Sequence, residues 1–424
     1  MRMVPPRKSV SMIFRMARAG RACIAATLAL ACAGPIRAQG QTLTTLYSFQ
    51  SPANSASLSN GLILRGGSLY GSSNIGGAQG NGEVFSLRPP AGGTGPWTLR
   101  VIYSFTATDG PGPVSNLLFD KTGHIYGATY PSTSAGNIFM LTPPAVAGGP
   151  WTESTLFSFP IGGLSGANPV GDMVLDAAGN LFGVTSLGGQ FGNGVVYELS
   201  PPAVAGGNWT ETVLHAFRTL EGVNPVTLSH DLSGPLFGIC SNGGSAGVGT
   251  VWRLFPPTVS GGTWSFRILH TFAGGSDGAN PSGMMIFKGV KYGTTSAGGQ
   301  FGYGTAFNIV FAGGVFTTST IYSFAGSGDG IGPVANLVAD PLYNLYGVTT
   351  SGGAFNAGTI YELTPPAIPG GTWTELVRYS FAGLSDGSQP MGRLALDSTS
   401  NLYGTTWLGV GGATNSSTVF ELAP

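Results

Sequence analysis

Five acidic residues recur at one place in a repeated phrase. Asp109, Asp277, Asp329 and Asp386 each stand before Gly, Glu221 stands before Gly222, and Ser165 takes the corresponding position in one further copy. Carboxylates spread over such loops could bind a hard cation such as calcium, whose ligands are oxygens. They could also supply the acid and base of glycoside hydrolysis, which needs two carboxyls about 5 to 9.5 Å apart. The same residues serve as turn formers, because Asp before Gly hydrogen-bonds its own backbone and Gly supplies a positive φ. A second repeated phrase is a Gly-rich turn carrying Phe191, Phe301 and Phe355. Phe in such a turn either packs over the strands beneath it or offers a platform for a sugar ring. The amides of Gln190, Asn193, Gln300 and Asn356 stand nearby and suit a neutral polysaccharide.

Other chemistry is thinly represented. His124, His215, His230 and His270 form no metal-binding spacing, and His215 and His270 replace the Tyr of a recurring "YSF". No HExxH, P-loop or paired CxxC motif occurs. Cys240 takes a strand position and reads as a small buried hydrophobe. Asp120, Asp176, Asp340 and Asp397 precede Asn- or Gly-bearing turns and read as structural. Trp97, Trp151, Trp209, Trp264 and Trp373 each follow a Gly-containing turn, a spacing that predicts aromatic packing between repeated units.

The elements that must position these residues are set by repetition. A strand ending in Phe occurs seven times, at Phe49, Phe105, Phe159, Phe217, Phe272, Phe324 and Phe381, with spacings of 56, 54, 58, 55, 52 and 57 residues. Each period holds four strand-length runs divided by Gly, Pro, Asn and Asp, and no run of helical length. Units of this kind, repeated radially, make a β-propeller. The fold expected is all-β, a seven-bladed propeller of four-stranded antiparallel blades. Its blades fall at about 58–105, 113–159, 169–217, 225–272, 281–324, 333–381 and 390–422, the last completed by 42–49. Pairing of the N-terminal strand 42–49 beside 418–422 would close the ring and leave no exposed sheet edge.

Composition sets the setting. Charged residues make up 8% and glycines number 71, while 42% hydrophobic and 11% aromatic residues argue for a packed fold. Residues 1–38 combine Arg2, Arg7, Lys8, Arg15, Arg18 and Arg21 with the apolar "ACIAATLALACAG", which is too short to span a bilayer and reads as a signal peptide. A lipidated Cys32 is the rival to simple cleavage, but the preceding "ALA" matches a lipoprotein box badly. Cleavage removes seven of 18 Lys+Arg and none of 18 Asp+Glu, leaving a net charge of −7 and Cys240 without a disulfide partner. An acidic surface excludes nucleic acid and anionic lipid as expected partners. The expectation is a secreted or cell-surface monomer with no transmembrane segment in the mature chain. Its expected partners are polysaccharide or another surface protein, with no cofactor other than calcium.

The phrase "LYSF…DG…P…L..D..GNLYG.T..GG..G.GTVFEL.PP" runs through residues 42 to 424 and resembles the GloVer tandem-repeat family of exported bacterial proteins, often described as choice-of-anchor proteins. The resemblance implies export and surface display and supplies no catalytic residues. This chain departs from anchored members, since "VFELAP" is not followed by a hydrophobic or basic tail. Near-identical loops in several blades favour a non-enzymatic binding or scaffold module for extracellular or cell-surface glycan. The alternatives are a polysaccharide hydrolase or lyase using the loop carboxylates, and a structural surface or matrix component.

Overall fold

The structure is a computed structural model that describes residues 41–49, 57–93, 95–130, 134–204, 206–230, 234–259, 261–326, 328–368, 370–413 and 416–424; the expected signal peptide lies outside these residues. They form seven antiparallel sheets, the blades of a β-propeller, and blades are numbered here in chain order. In blade 3 the strands Gly166–Leu175, Leu181–Gly188, Val195–Ser200 and Thr210–Ala216 pair in sequence order. The ring closes as the repeat phase predicts: Leu43–Phe49 is the fourth strand of blade 7, paired antiparallel with Ser417–Leu422 so that Leu43 faces Leu422. No α-helix occurs among the described residues, and the short 3₁₀ turns Gly275–Asp277 and Val410–Gly412 lie in loops.

Burial explains the strand patterns. Second and third strands are covered on both faces by neighbouring blades, so Leu181–Thr185 and Val195–Tyr197 are buried throughout and read as unbroken apolar runs. Fourth strands have an exposed face, and Thr210–Ala216 opens on the polar run Thr210, Glu211 and Thr212, of which Thr210 and Thr212 are exposed. The buried hydrophobic residues group into seven clusters, each bridging two adjacent blades. The cores of this protein lie between blades rather than within them.

One contact recurs at every junction. The Phe that ends each fourth strand is fully buried and turns into the next blade, against the aromatic residue of that blade's third strand. The ring centroids of Phe49 and Phe85 lie 5.3 Å apart, Phe105 and Phe139 5.0 Å, Phe159 and Tyr197 5.2 Å, and Phe217 and Trp252 5.5 Å. Phe272 and Phe307, Phe324 and Tyr361, and Phe381 and Phe420 complete the ring at 4.9 to 5.2 Å. Tilted and edge-to-face pairs of this kind add about 0.5–1.5 kcal/mol to the area they bury. The aromatic of the third strand lies directly over the Gly of the second, so a Cβ on Gly183, Gly238 or Gly347 would collide with Tyr197, Trp252 or Tyr361. That collision explains the Gly of "LYG", "LFG" and their variants.

Two further links join the blades. Trp97 packs on Tyr403, Trp264 on Phe182 and Trp373 on Tyr292, so each Trp that opens a fourth strand reaches back to the second strand of the preceding blade. At the entry to the first strands of blades 2 to 7, the residue before Pro has a positive φ, as in Asn168 (57°), Asn224 (62°) and Asn280 (55°). Its backbone N–H donates to the preceding blade, as Asn280 does to the Val248 carbonyl at 2.8 Å and Gln389 to that of Ala357 at 2.9 Å.

Phe381→Ala removes one ring of this chain of contacts without touching a loop. It is expected to cost about 3–5 kcal/mol, the range for emptying a buried Phe site, as measured by chemical denaturation. Gly347→Ala, which pushes Tyr361 out of line, is expected to destabilise as a small-to-large core change does, by about 1–3 kcal/mol.

Candidate functional site

The first strands face the axis of the ring, and at one register position the repeats stop agreeing. The residues just before the buried Leu62, Leu117, Met173, Leu228, Met284, Leu337 and Leu394 are Gly61, Asn116, Asp172, Thr227, Gly283, Asn336 and Arg393. All of them but Gly283 line an axial cavity of about 400 Å³ together with Asn60, Ser186, Asn224 and Ser282.

Asp172 is the centre of this wall. Asn116 Nδ2 donates to Oδ1 at 2.8 Å, Thr227 Oγ1 donates to Oδ2 at 3.2 Å, and Asn336 Nδ2 also donates to Oδ2. Arg393 Nη1 lies 3.8 Å from Oδ1. One carboxylate from blade 3 thus joins side chains of blades 2, 4, 6 and 7. The amide oxygens of the two Asn residues serve the two Gly blades: Asn116 Oδ1 accepts from Gly61 N at 2.6 Å and Asn336 Oδ1 from Met284 N at 2.7 Å. Asp172 is largely covered, with 14% of its side chain accessible, whereas Arg393 keeps 31% exposed to the cavity. A charged donor, several amides and hydroxyls, and one carboxylate converge on a space large enough for a sugar unit.

The residues singled out by repetition lie on the loops at one end of the strands. Each acidic residue closes its own loop onto the aromatic or His of the strand just before it. Asp109 Oδ2 accepts from Tyr103 Oη at 2.8 Å and Thr106 N at 2.9 Å, and Asp386 Oδ2 from Tyr379 Oη at 3.0 Å and Ala382 N at 2.7 Å. Asp329 accepts from Tyr322 Oη at 2.6 Å and from the N–H groups of Ala325 and Gly326. In blades 4 and 5, His215 Nε2 lies 3.1 Å from Glu221 and His270 Nε2 3.0 Å from Asp277. Where Ser165 replaces the acid, Phe157 replaces the Tyr, so donor and acceptor are lost together. Partial burial pushes the Asp109 carboxyl upward, but its hydrogen bonds from Thr106 and Tyr103 outweigh this and hold it below the usual range. Among the described residues, no group of three or more His, Cys, Asp or Glu side chains is gathered to hold a metal ion.

Phe191, Phe301 and Phe355 sit in the turns between second and third strands at the same end, 40%, 51% and 65% exposed. Arg218 lies over the Phe191 ring at 4.9 Å. The structure therefore brings the acidic loops and the Phe turns to one face, while the polar side chains that converge belong to the channel.

A profile described as the Gloeobacter/Verrucomicrobia repeat matches residues 35–252 and again 228–424. The chain belongs to this repeat family. No curated protein matches the sequence. Among solved structures, it is similar to PorZ, described as an essential bacterial surface component of the type-IX secretion system of Porphyromonas gingivalis. The two share 15% identity with a TM-score of 0.51, over 87% of this chain and 47% of PorZ, so the chain spans about half of PorZ. It is also similar to a putative 6-phosphogluconolactonase of Bacteroides uniformis, at 15% identity and a TM-score of 0.50, over 81% of this chain and 89% of that one. At this identity the likeness concerns the fold. Among the described residues, no helix is long and apolar enough to cross a membrane.

In this Gloeobacter/Verrucomicrobia repeat protein the missed residues are those that differ between copies. Asp172 and Arg393 stand inside "PVGDMVLD" and "PMGRLALD", and comparing the residue before the conserved apolar position across seven copies would have exposed them. Glu83 is a second case. It opens the third strand of blade 1, where blades 4 to 7 have Thr250, Thr305, Thr359 and Thr418. It is fully buried, its carboxyl oxygens have no hydrogen-bond partner among the described residues, and burial pushes its pKa up from 4.5 to about 7.

Since the folded protein holds the Glu83 proton that the unfolded chain gives up above pH 4.5, stability should fall as pH rises from about 4.5 to 7 and then level off. The drop attributable to this residue is on the order of 3 kcal/mol at most. Denaturation of the wild type and Glu83→Gln across this window measures it: the wild-type curve should lose this stability and the Gln curve should lack that component.

Proposed function

We propose that this protein is a non-enzymatic binding module that takes a neutral, polyhydroxylated ligand, the end of an extracellular or cell-surface glycan, into its axial channel. The observation that carries this reading is the break in seven-fold symmetry. Loops and cores repeat from blade to blade, whereas the channel position presents Asn116, Asp172, Thr227, Asn336 and Arg393 around a cavity of about 400 Å³. Amides, hydroxyls and a single exposed guanidinium match sugar hydroxyls, which both donate and accept. The exposed Phe191, Phe301 and Phe355 on the loop face offer apolar platforms for sugar rings outside the channel. The surface role described for PorZ supports placing this propeller outside the cell, in line with the basic and apolar leader of the sequence.

The test uses the chain from residue 39 onward and a panel of neutral polysaccharides, following retention and reducing-end release together. Retention without release is expected, and Arg393→Met should weaken it at least tenfold while leaving the melting temperature within a few degrees. Unchanged retention in that variant removes the channel from the reading.

One observation favours a second reading, hydrolysis. Glu375, near the start of the fourth strand of blade 6, is pushed up to about 8 by burial and by the charge of Asp329, which favours its protonated form. If that pair is catalytic, reducing ends are released from a polymer and Glu375→Gln abolishes the release; no release from any polymer in the panel eliminates it.

A further inference from the structure

A second cavity, of about 320 Å³, lies between blades 3 and 4 at the end of the sheets where first strands turn into second strands. Trp264 of blade 4 and Phe182 of blade 3 form its aromatic walls, with ring centroids 6.0 Å apart and planes at 57°, and Leu236 and Pro256 extend the apolar lining. Asp176, Asn180, Glu198 and, from blade 4, His230 line it as well.

The same place recurs between other blades, where its negative charge is handled internally. At the junction of blades 7 and 1, Tyr403 Oη donates to Asp397 Oδ2 at 3.2 Å and to Glu421 Oε1 at 3.3 Å, beneath Trp97. At blade 6, Tyr346 Oη donates to Asp340 Oδ2 at 3.2 Å, and Arg378 Nη1 pairs with Glu362 Oε2 at 2.8 Å. Blade 3 keeps both carboxylates and loses both answers to them. Phe182 stands where Tyr346 and Tyr403 supply the hydroxyl, and Leu214 stands where Arg378 supplies the cation. Asp176 retains Asn180 Nδ2 at 2.9 Å and Glu198 retains Ser200 Oγ at 3.3 Å, but no Lys or Arg among the described residues pairs with either. The Glu198 carboxyl is accordingly pushed up, first by burial and also by the charge of Asp176.

We infer that this cavity binds an amino sugar, with its ammonium between Asp176 and Glu198 and the apolar face of its pyranose against Trp264. The ammonium does there what the Arg378 guanidinium and the Tyr403 hydroxyl do at the sister sites. The aromatic wall selects a ring over a bare cation, and a charge close to an aromatic face gains a cation–π contribution as well. This site is separate from the channel and shares with the proposed function only the class of ligand, so either assignment fails without the other.

The experiment is calorimetric titration of the chain from residue 39 onward with a glucosamine oligomer, its fully N-acetylated counterpart and N-acetyl-lysine amide, which carries the ammonium without a pyranose. The glucosamine oligomer is expected to bind, more weakly as ionic strength rises, with at least a tenfold loss on N-acetylation. Leu214→Arg installs the internal cation of blade 6 and should reduce affinity at least tenfold. Glu198→Gln should do the same with no change in shape and serves if Leu214→Arg disturbs folding. The binding that Glu198→Gln removes should persist in Arg393→Met, whose effect is confined to the channel. Equal binding of the acetylated oligomer, or full affinity in Glu198→Gln, overturns the proposal. Binding of the lysine amide as tightly as the sugar overturns the sugar assignment, since the ammonium alone would then be read.

Discussion

The ring stands on the contact between the Phe that ends one blade and the aromatic residue at the centre of the next. Each such pair sits over a glycine, so three residues far apart in the repeat (the Gly of the second strand, the aromatic of the third and the Phe of the preceding blade) form a single unit of packing. Because the unit straddles two sheets, no blade possesses its own complete core. A lone four-stranded sheet of this sequence would expose the residues that its neighbour covers. Stability is therefore cooperative around the circle, and most of its packing lies in the sheets.

That division leaves the axis free to vary. The first strands are held by the apolar residues Leu117, Met173, Leu337 and their counterparts on one side, and the residue before each is turned toward its six equivalents. Asp172 occupies this position against water's interest, since a largely covered carboxylate loses hydration. Three neutral donors and a nearby guanidinium offset that loss. Asn116 and Asn336 use their other amide atom on backbone N–H groups of the Gly blades. The channel wall is thus polar, satisfied and asymmetric, with Arg393 as its most accessible charge.

Much of the fold was legible in the sequence because repetition averages out ambiguity. Four strand-length runs, read seven times, fix a blade more firmly than any one copy could, and the complementary ends "QTLTTLYSF" and "TVFEL" point to the split blade. The coupling of His215 with Glu221, of Tyr379 with Asp386, and of Phe157 with Ser165 was also present as paired substitution, although its meaning as a loop-closing hydrogen bond needed geometry. The channel was not legible for the opposite reason. Attention to what recurs passes over Asp172, whose partners lie as far away as Asn336 and meet it only when the ring is formed. Glu83 was hidden similarly: a charged residue at the start of an apolar strand reads as exposed, and only the covering of third strands on both faces shows it to be buried.

The split blade ties the order of assembly to the whole length of the chain. Leu43 pairs with Leu422, a separation of 379 residues, so this ladder joins the most distant segments of any strand pair among the described residues. The entropy of closing so long a loop grows only logarithmically, which makes the completed clasp affordable at equilibrium while its formation stays slow. During synthesis the clasp has a direction as well: the strand that emerges first must wait, unpaired, for the strand that emerges last. Once joined, both ends of the described chain lie in one sheet, and neither can peel away without opening the ring.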